Sequence, residues 1–155
     1  MASARNIQPI DSLIGMTIIS RATGNKLGQV HDLVVDPVEG VLLGLSAQAP
    51  DGNIYGIEYG EIYNFGPDAV MVNADDSLSS LEGSPLVGPP LAKKNLAGAK
   101  IITESGKLLG SIANVFFHSS APPFVVYEVR ESLLDKLLGR AMFIPASAGR
   151  AMSEG

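Results

Sequence analysis

One strand grammar occurs twice in this chain, and that repetition limits the fold more than any other feature. The segment LIGMTIISRATGNKLGQVHDLVVD begins at Leu13, and LAGAKIITESGKLLGSIANVFFH begins at Leu96. Leu13, Gly15, Ile18 and Ile19 align with Leu96, Gly98, Ile101 and Ile102 at an offset of 83 residues. One residue is lost in the turn that follows. Gly28, Val30 and Leu33 then align with Gly110, Ile112 and Val115 at an offset of 82. Self-similarity of this kind marks a duplicated structural unit. Two copies joined by a Pro- and Ser-rich spacer point to tandem small domains rather than a solenoid.

Each copy reads as short strands and tight turns. MTIIS is brief and β-branched, and RATGNK and ESGK are turn sequences with Gly available for a positive φ. In LGQVHDLVVD the polar and apolar residues alternate before the run becomes continuously apolar. A glycine inside such a strand marks a bend, a bulge or a close backbone approach, and small barrels need such bends to close. Gly28 and Gly110 hold matching places in the two copies and read as strand-curving positions, with Gly15 and Gly98 as the matching glycines that open each unit. A phosphate-cradling loop would require a Lys-Ser/Thr pair and a following helix, and neither is present. DPVEG (Asp36–Gly40) has the form of a type I turn, and PDGN carries the Asp-Gly hairpin signal. VLLGLSAQA, IYGIEYGEIY and DAVMVN supply further strands. With 17 Gly and 10 Pro in 155 residues, the pattern is that of a small antiparallel barrel or sandwich.

The second copy repeats the plan with changes. FVVYEVR is a strand, and AMFIPAS corresponds to IYGIEYG. ESLLDKLLG, from Glu131, is the one short helix expected in the chain; Leu133, Leu134, Leu137 and Leu138 share its apolar face and Gly139 ends it. Nothing equivalent to DAVMV follows, so the second barrel reads as lacking its last strand, which leaves an edge to be covered. The expected fold is mainly all-β: two tandem small antiparallel barrels, over 8–76 and 96–155. The stretch 77–95, SLSSLEGSPLVGPPLAKKN, reads as a linker whose Leu86, Val87 and Leu91 are able to dock on a barrel.

Charge is spread unevenly. Up to Gly83 there are three Lys/Arg against eleven Asp/Glu; from Ser84 onward there are eight against five. An acidic half repels nucleic-acid phosphate and suits a basic protein surface, so no direct nucleic-acid binding is expected. The absence of cysteine excludes disulfides, thiolate metal sites and a cysteine nucleophile. No apolar run has the length of a membrane span, and MASARNIQPIDS lacks a signal-peptide core, so the expectation is a soluble, cytoplasmic protein.

The repeated residues carry a family resemblance. The opening Leu-x-Gly, the short strand, the Gly turn and the LG-x-V/I-x-D/N step occur as Leu13, Gly15, Gly24, Leu27, Gly28, Val30 and Asp32. They recur as Leu96, Gly98, Gly106, Leu109, Gly110, Ile112 and Asn114. This pattern resembles the PRC-barrel domain, a family that includes the cytoplasmic domain of the photosynthetic reaction-centre H subunit and the C-terminal domain of a ribosome-maturation factor. YGIEYGEIYNFGPDAVMV fits as well, although Glu58 stands where members often have Pro; Ile144-Pro145 keeps that pair. The resemblance implies two PRC-type barrels, no common catalytic machinery, no cofactor, and a role as an assembly surface. The expected function is a non-catalytic adaptor or assembly factor for a larger complex, a photosynthetic one being the first partner class. The alternatives are a ribosome-maturation or RNA-processing factor that contacts a basic ribosomal protein, and a small-ligand or enzymatic domain.

Few residues suggest chemistry. His31, Asp32 and Asp36 supply ligand types, but neighbours on a strand face opposite sides, and the second copy has Ala113 and Asn114 instead. Asp32 and Asn114 are expected to accept hydrogen bonds from turn backbone. His118 beside Ser119 and Ser120 lacks a nucleophile-elbow motif and a placed acid. No catalytic, metal or cofactor residue is therefore assigned. Tyr55, Tyr59 and Tyr63 recur every fourth residue; packing in the barrel core and rim is the first expectation for them, and a partner interface the second, tyrosine being enriched at binding hot spots. The leucine face of 133, 134, 137 and 138 must be buried somewhere; its own barrel is the first expectation, and an interface with a partner or in a homo-oligomer is the other.

Overall fold

The computed structural model describes residues 7–36, 38–82, 84, 86, 98–131, 138 and 142–151. The described chain is mainly β. Its helical pieces among the described residues are three-residue 3-10 turns. The helix expected from Glu131 falls on residues 132–137 and 139–140, outside the described residues, as do Val87 and Leu91 of the spacer.

Two compact units divide the chain. One comprises residues 11–35 and 42–94; the other comprises 1–10, 36–41 and 95–155. We call them the first and second unit. The first holds a sheet of six strands: β2 (Thr17–Ser20), β3 (Lys26–Val35), β4 (Leu42–Gln48), β5 (Ile54–Glu58), β6 (Ile62–Phe65) and β7 (Ala69–Val72). Their order is β5-β4-β3-β2-β7-β6, antiparallel except for the parallel pair β2–β7. Leu13, Ile18, Leu33, Leu45, Ile57, Val70 and Val72 fill its core and have no exposed surface.

The second unit holds β1 (Ile7–Pro9), β8 (Lys100–Ile102), β9 (Leu108–His118), β10 (Phe124–Arg130), β11 (Met142–Pro145) and β12 (Arg150–Ala151). Their order is β11-β10-β9-β8-β12, and β1 pairs with the C-terminal part of β9. Phe117, Ile101, Val125 and Val129 are its fully buried core. Strand β10 alternates strictly between buried and half-buried residues, as a strand with one face on a core does.

The glycines and bulges explain why both sheets curl. In the first unit the β2–β3 register slips so that Ile18 faces Gly28 and Ile19 faces Lys26; in the second, Ile101 faces Gly110 and Ile102 faces Leu108. Gly28 has φ +154° and Gly110 has φ +147°, and a Cβ there would lie 2.3 Å from the Gln48 carbonyl oxygen or 2.6 Å from that of Arg130. Only a residue without a side chain lets the next strand come that close. A second slip leaves His31 unpaired between Val30 and Asp32, and in β9 it leaves Ala113 unpaired between Ile112 and Asn114. The strand entry is also shared. Gly15 N–H donates to Val30 O (2.8 Å) and Val30 N–H to Met16 O (2.9 Å); Gly98 N–H donates to Ile112 O (2.7 Å) and Ile112 N–H to Ala99 O (2.8 Å).

The units differ at their last strands. Beside β2 lies β7, in parallel; beside β8 lies the short β12, antiparallel, with Ile102 facing Arg150 and Ile101 facing Ala151. The edge of β8 is thus partly paired by the chain's own next segment.

Candidate interaction surfaces

The residues that suggest chemistry do not converge. Asp32 is fully buried and its Oδ1 accepts the Leu33 N–H at 2.7 Å. The extra residue of the bulge, His31, is half-buried beside it. Asp36 Oδ1 accepts the N–H groups of Val38 (2.8 Å) and Glu39 (2.9 Å), so this carboxylate is used in shaping its own turn. Asn114 differs from the expectation for it: it is exposed, and its Nδ2 donates across the strand pair to Glu128 Oε2 at 2.9 Å. His118 is buried and stacks on Phe124, with ring centroids 4.8 Å apart and planes 11° from parallel. Its Nδ1 has no hydrogen-bond partner among the described residues. Ser120 donates to Pro122 O at 2.8 Å. Among the described residues no three His, Asp or Glu side chains are placed to hold a metal ion.

The three tyrosines lie on three elements. Tyr55 is on β5 and donates its hydroxyl to Asp51 Oδ2 at 3.3 Å. Tyr59 opens a 3-10 turn and is half-buried. Tyr63 is on β6 and 56% exposed, with the Arg21 guanidinium 4.1 Å above its ring. The spacing of four does not come from a helix; the chain kinks at Tyr59–Glu61 between two strands. Near that kink the first unit is fastened by carboxylates. Asp75 Oδ1 accepts from the Thr23 hydroxyl (2.7 Å) and its Oδ2 from the Asn25 amide (3.0 Å). Those bonds, Thr23 first and then Ser20 and Asn25, hold its carboxyl below the ordinary aspartate range. Glu61 Oε1 accepts from the Ser77 hydroxyl at 3.0 Å. Of the leucine face, Leu133, Leu134 and Leu137 lie outside the described residues, and Leu138 is exposed.

A covered sheet face in the first unit was not legible as such. Gly44 on β4 and Gly56 on β5 leave a flat floor, and the spacer closes over it. Gly56 N–H donates to Ser79 O (2.8 Å) and Ser79 N–H to Gly56 O (2.9 Å), so the spacer pairs with the free edge of β5. Leu86 then lies over both glycines: Cβ atoms added there would sit 2.8 Å and 3.0 Å from its methyl groups. Leu86 is 6% exposed in consequence. The second unit carries a cleft of about 390 Å³, with apolar walls from Val41, Phe124, Pro145 and Ala146 and hydroxyls from Ser120 and Ser147. Two glycines set apart in sequence and a leucine in the spacer were the available signals for the covered face. The cleft had none.

Residues 7–79 match the family model of the PRC-barrel domain, a little under half of the chain. That segment is a PRC-barrel domain, a module of protein–protein interaction that is in general non-catalytic. No curated protein matches the chain. No helix among the described residues is long and apolar enough to cross a membrane.

Proposed function

We propose that the PRC-barrel domain of residues 7–79, with the repeat of residues 96–155 as a second barrel of the same kind, forms a non-catalytic adaptor that holds a protein partner within a larger cytoplasmic assembly. The observation that carries this reading is the way polar and apolar groups are used. The carboxylates of Asp32, Asp36, Glu61 and Asp75 are each committed to hydrogen bonds that shape the fold. Large apolar groups, by contrast, stay in solvent: Ile7, Tyr63, Leu138 and Phe143 are each more than 40% exposed. Exposed aromatic and aliphatic groups in that number suit contact with another macromolecule.

The two barrels offer different electrostatics. The acidic half favours a basic protein partner and opposes RNA. A photosynthetic complex is the first partner class and a ribosomal one the second, both drawn from the range of the family. The test is capture from a lysate of the source cell at moderate salt, with bound proteins identified by mass spectrometry and RNA binding titrated in parallel. A stoichiometric protein partner is the expected result. Tight, salt-dependent RNA binding with no protein captured overturns the reading in favour of an RNA factor. A blank capture by folded bait overturns it in favour of a small ligand, for which the cleft at Val41, Phe124 and Pro145 is the place to look.

A further inference from the structure

The same sheet face is covered in the first unit and open in the second. Strand register makes the comparison position by position. In the first unit Gly44 faces Glu58, Ser46 faces Gly56, and Val34 faces Gly44. In the second Val126 faces Pro145, Glu128 faces Phe143, and Phe116 faces Val126. Val126, Phe143 and Phe116 therefore stand where the first unit has Gly44, Gly56 and Val34. The first unit's residues at these places are all buried, and Leu86 lies on Gly44 and Gly56, with Leu81 beside it on Gly56. Phe143 is instead 61% exposed, resting edge-on against Phe116 with centroids 6.0 Å apart. Pro9, opposite Phe116 on β1, and Pro145 extend the apolar surface and are exposed.

The strand edge repeats the contrast. Strand β5 ends its sheet path, and Ser79 pairs with it at Gly56. Strand β11 ends its own path, and among the described residues nothing pairs with its outer edge at Phe143. An unpaired edge beside an apolar face is the arrangement to which an extended segment adds as a further strand.

We propose that β11 and the face of Phe116, Val126 and Phe143 form a strand-addition site for an extended, uncharged segment of a partner protein, with small side chains over Val126 and Phe143. The proposal rests on the adaptor reading and assigns it a surface. The chemistry of the occupant follows from two features. Charge is the first: among the described residues Glu128 is the acid in register on the face, and it accepts from Asn114 at 2.9 Å and pairs with Arg130 at 3.6 Å. A charged segment would lose its hydration and meet, among the described residues, charges already paired with each other. Shape is the second: the glycine floor of the first unit receives a leucine, whereas Val126 and Phe143 fill that space themselves, so the occupant must be small where Leu86 is large.

The test uses the full chain and a short capped peptide that alternates valine with serine, compared with one that alternates valine with lysine. Amide hydrogen exchange and chemical-shift mapping report where each binds. The valine–serine peptide is expected to protect the outward amide of Phe143, the amides of Met142 and Ile144 being turned toward β10, and to bind on the order of tenfold more tightly than the lysine peptide. Phe143→Ser removes the apolar anchor. Phe143→Pro removes the outward N–H at an edge position that tolerates proline. Both are expected to abolish peptide binding in the chemical-shift map with the far-ultraviolet spectrum unchanged. Binding elsewhere, or equal binding of both peptides, overturns the proposal. So does a Phe143 amide already protected in the free monomer, which would assign the edge to the chain's own residues, or protection that tracks dimer formation, which would assign it to a second copy. If both Phe143 variants still capture the lysate partner, the adaptor reading stands and this surface is excluded.

Discussion

At the scale of single residues, the fold depends on where a side chain is forbidden and where a carboxylate is held. Gly28 is the clearest case of the first. Its φ of +154° and the 2.3 Å approach of the Gln48 carbonyl to the missing Cβ leave no room for alanine. Gly28→Ala is expected to cost about 3 kcal/mol, from strain together with displacement of β4. Gly15→Ala has open space around the added methyl, so its cost is the left-handed backbone alone, roughly 1–2 kcal/mol. Urea melts of both variants check the ordering; equal costs would show that contact with β4 does not matter. Asp75 is the case of the second kind. Its carboxyl is held below the ordinary range by the Thr23 hydroxyl first, so the charged form is the one the folded state favours. A depressed folded value gives stability that is complete above the unfolded value and lost as pH falls through the folded one. Asp75→Asn is therefore less stable than the native chain at neutral pH, and the gap narrows below about pH 4. A gap that stays constant through the acid range in thermal melts would show that the carboxylate's charge is not what fastens the turn.

At the scale of elements, what could be read from the sequence and what could not separate along one line. The strands that carry the repeat were legible because their marks are local: Gly28 and Gly110 at matching places, β-branched runs, Asp-Gly at the hairpin. The partner of each further segment was not legible. IQP gives no sign that β1 pairs with β9, about a hundred residues on. DPVEGV reads correctly as a turn and says nothing of the bridge from Val41 to Phe124. The tyrosine interval of four comes from a kink between β5 and β6, which nothing local in the sequence marks. In the spacer, Ser and Pro suggest a free linker while Leu86, Val87 and Leu91 allow docking, and Leu86 does dock, although nothing local marks β4 and β5 as its floor. Its contact makes a specific expectation. Leu86→Ala removes a nearly buried leucine from a slot floored by two glycines that cannot expand to fill the gap, at a cost of about 2–3 kcal/mol. Limited proteolysis should then cut between Ser79 and Leu86 well before the strands. If the variant is cut no faster than the native chain, the spacer is held by the Ser79 pairing and the leucine is dispensable.

At the scale of the whole chain, the repeats and the compact units do not share boundaries, and that has consequences for how the protein can be divided. Residues 1–10 and 36–41 belong with 95–155 in the second unit. Within that unit β1 pairs with β9 through three residues, and Gly40 O accepts the Val125 N–H at 3.0 Å. Gly40 is also packed against the turn after β11, where an added Cβ would lie 2.9 Å from that of Ala146. A fragment cut at the repeat boundary, residues 95–155, loses all of this: the strand on β9, the cap on β10 and the support beneath Ala146. Stability of a small domain is a narrow difference between large terms, so the loss of three such supports is enough to abolish folding. The isolated fragment is expected to lack a cooperative thermal transition and to show the narrow amide dispersion of an unfolded chain. Gly40→Val tests the same claim without cutting anything. It lies at a turn within the first repeat, yet its effect should appear as faster amide exchange in Phe143 to Gly149, with Ile18 and Val70 unchanged. A folded fragment with the melting temperature of the intact chain, or a Gly40→Val variant whose exchange rises in the first unit instead, would return the boundary to the repeat and leave β1 and residues 36–41 as ornaments of the second barrel.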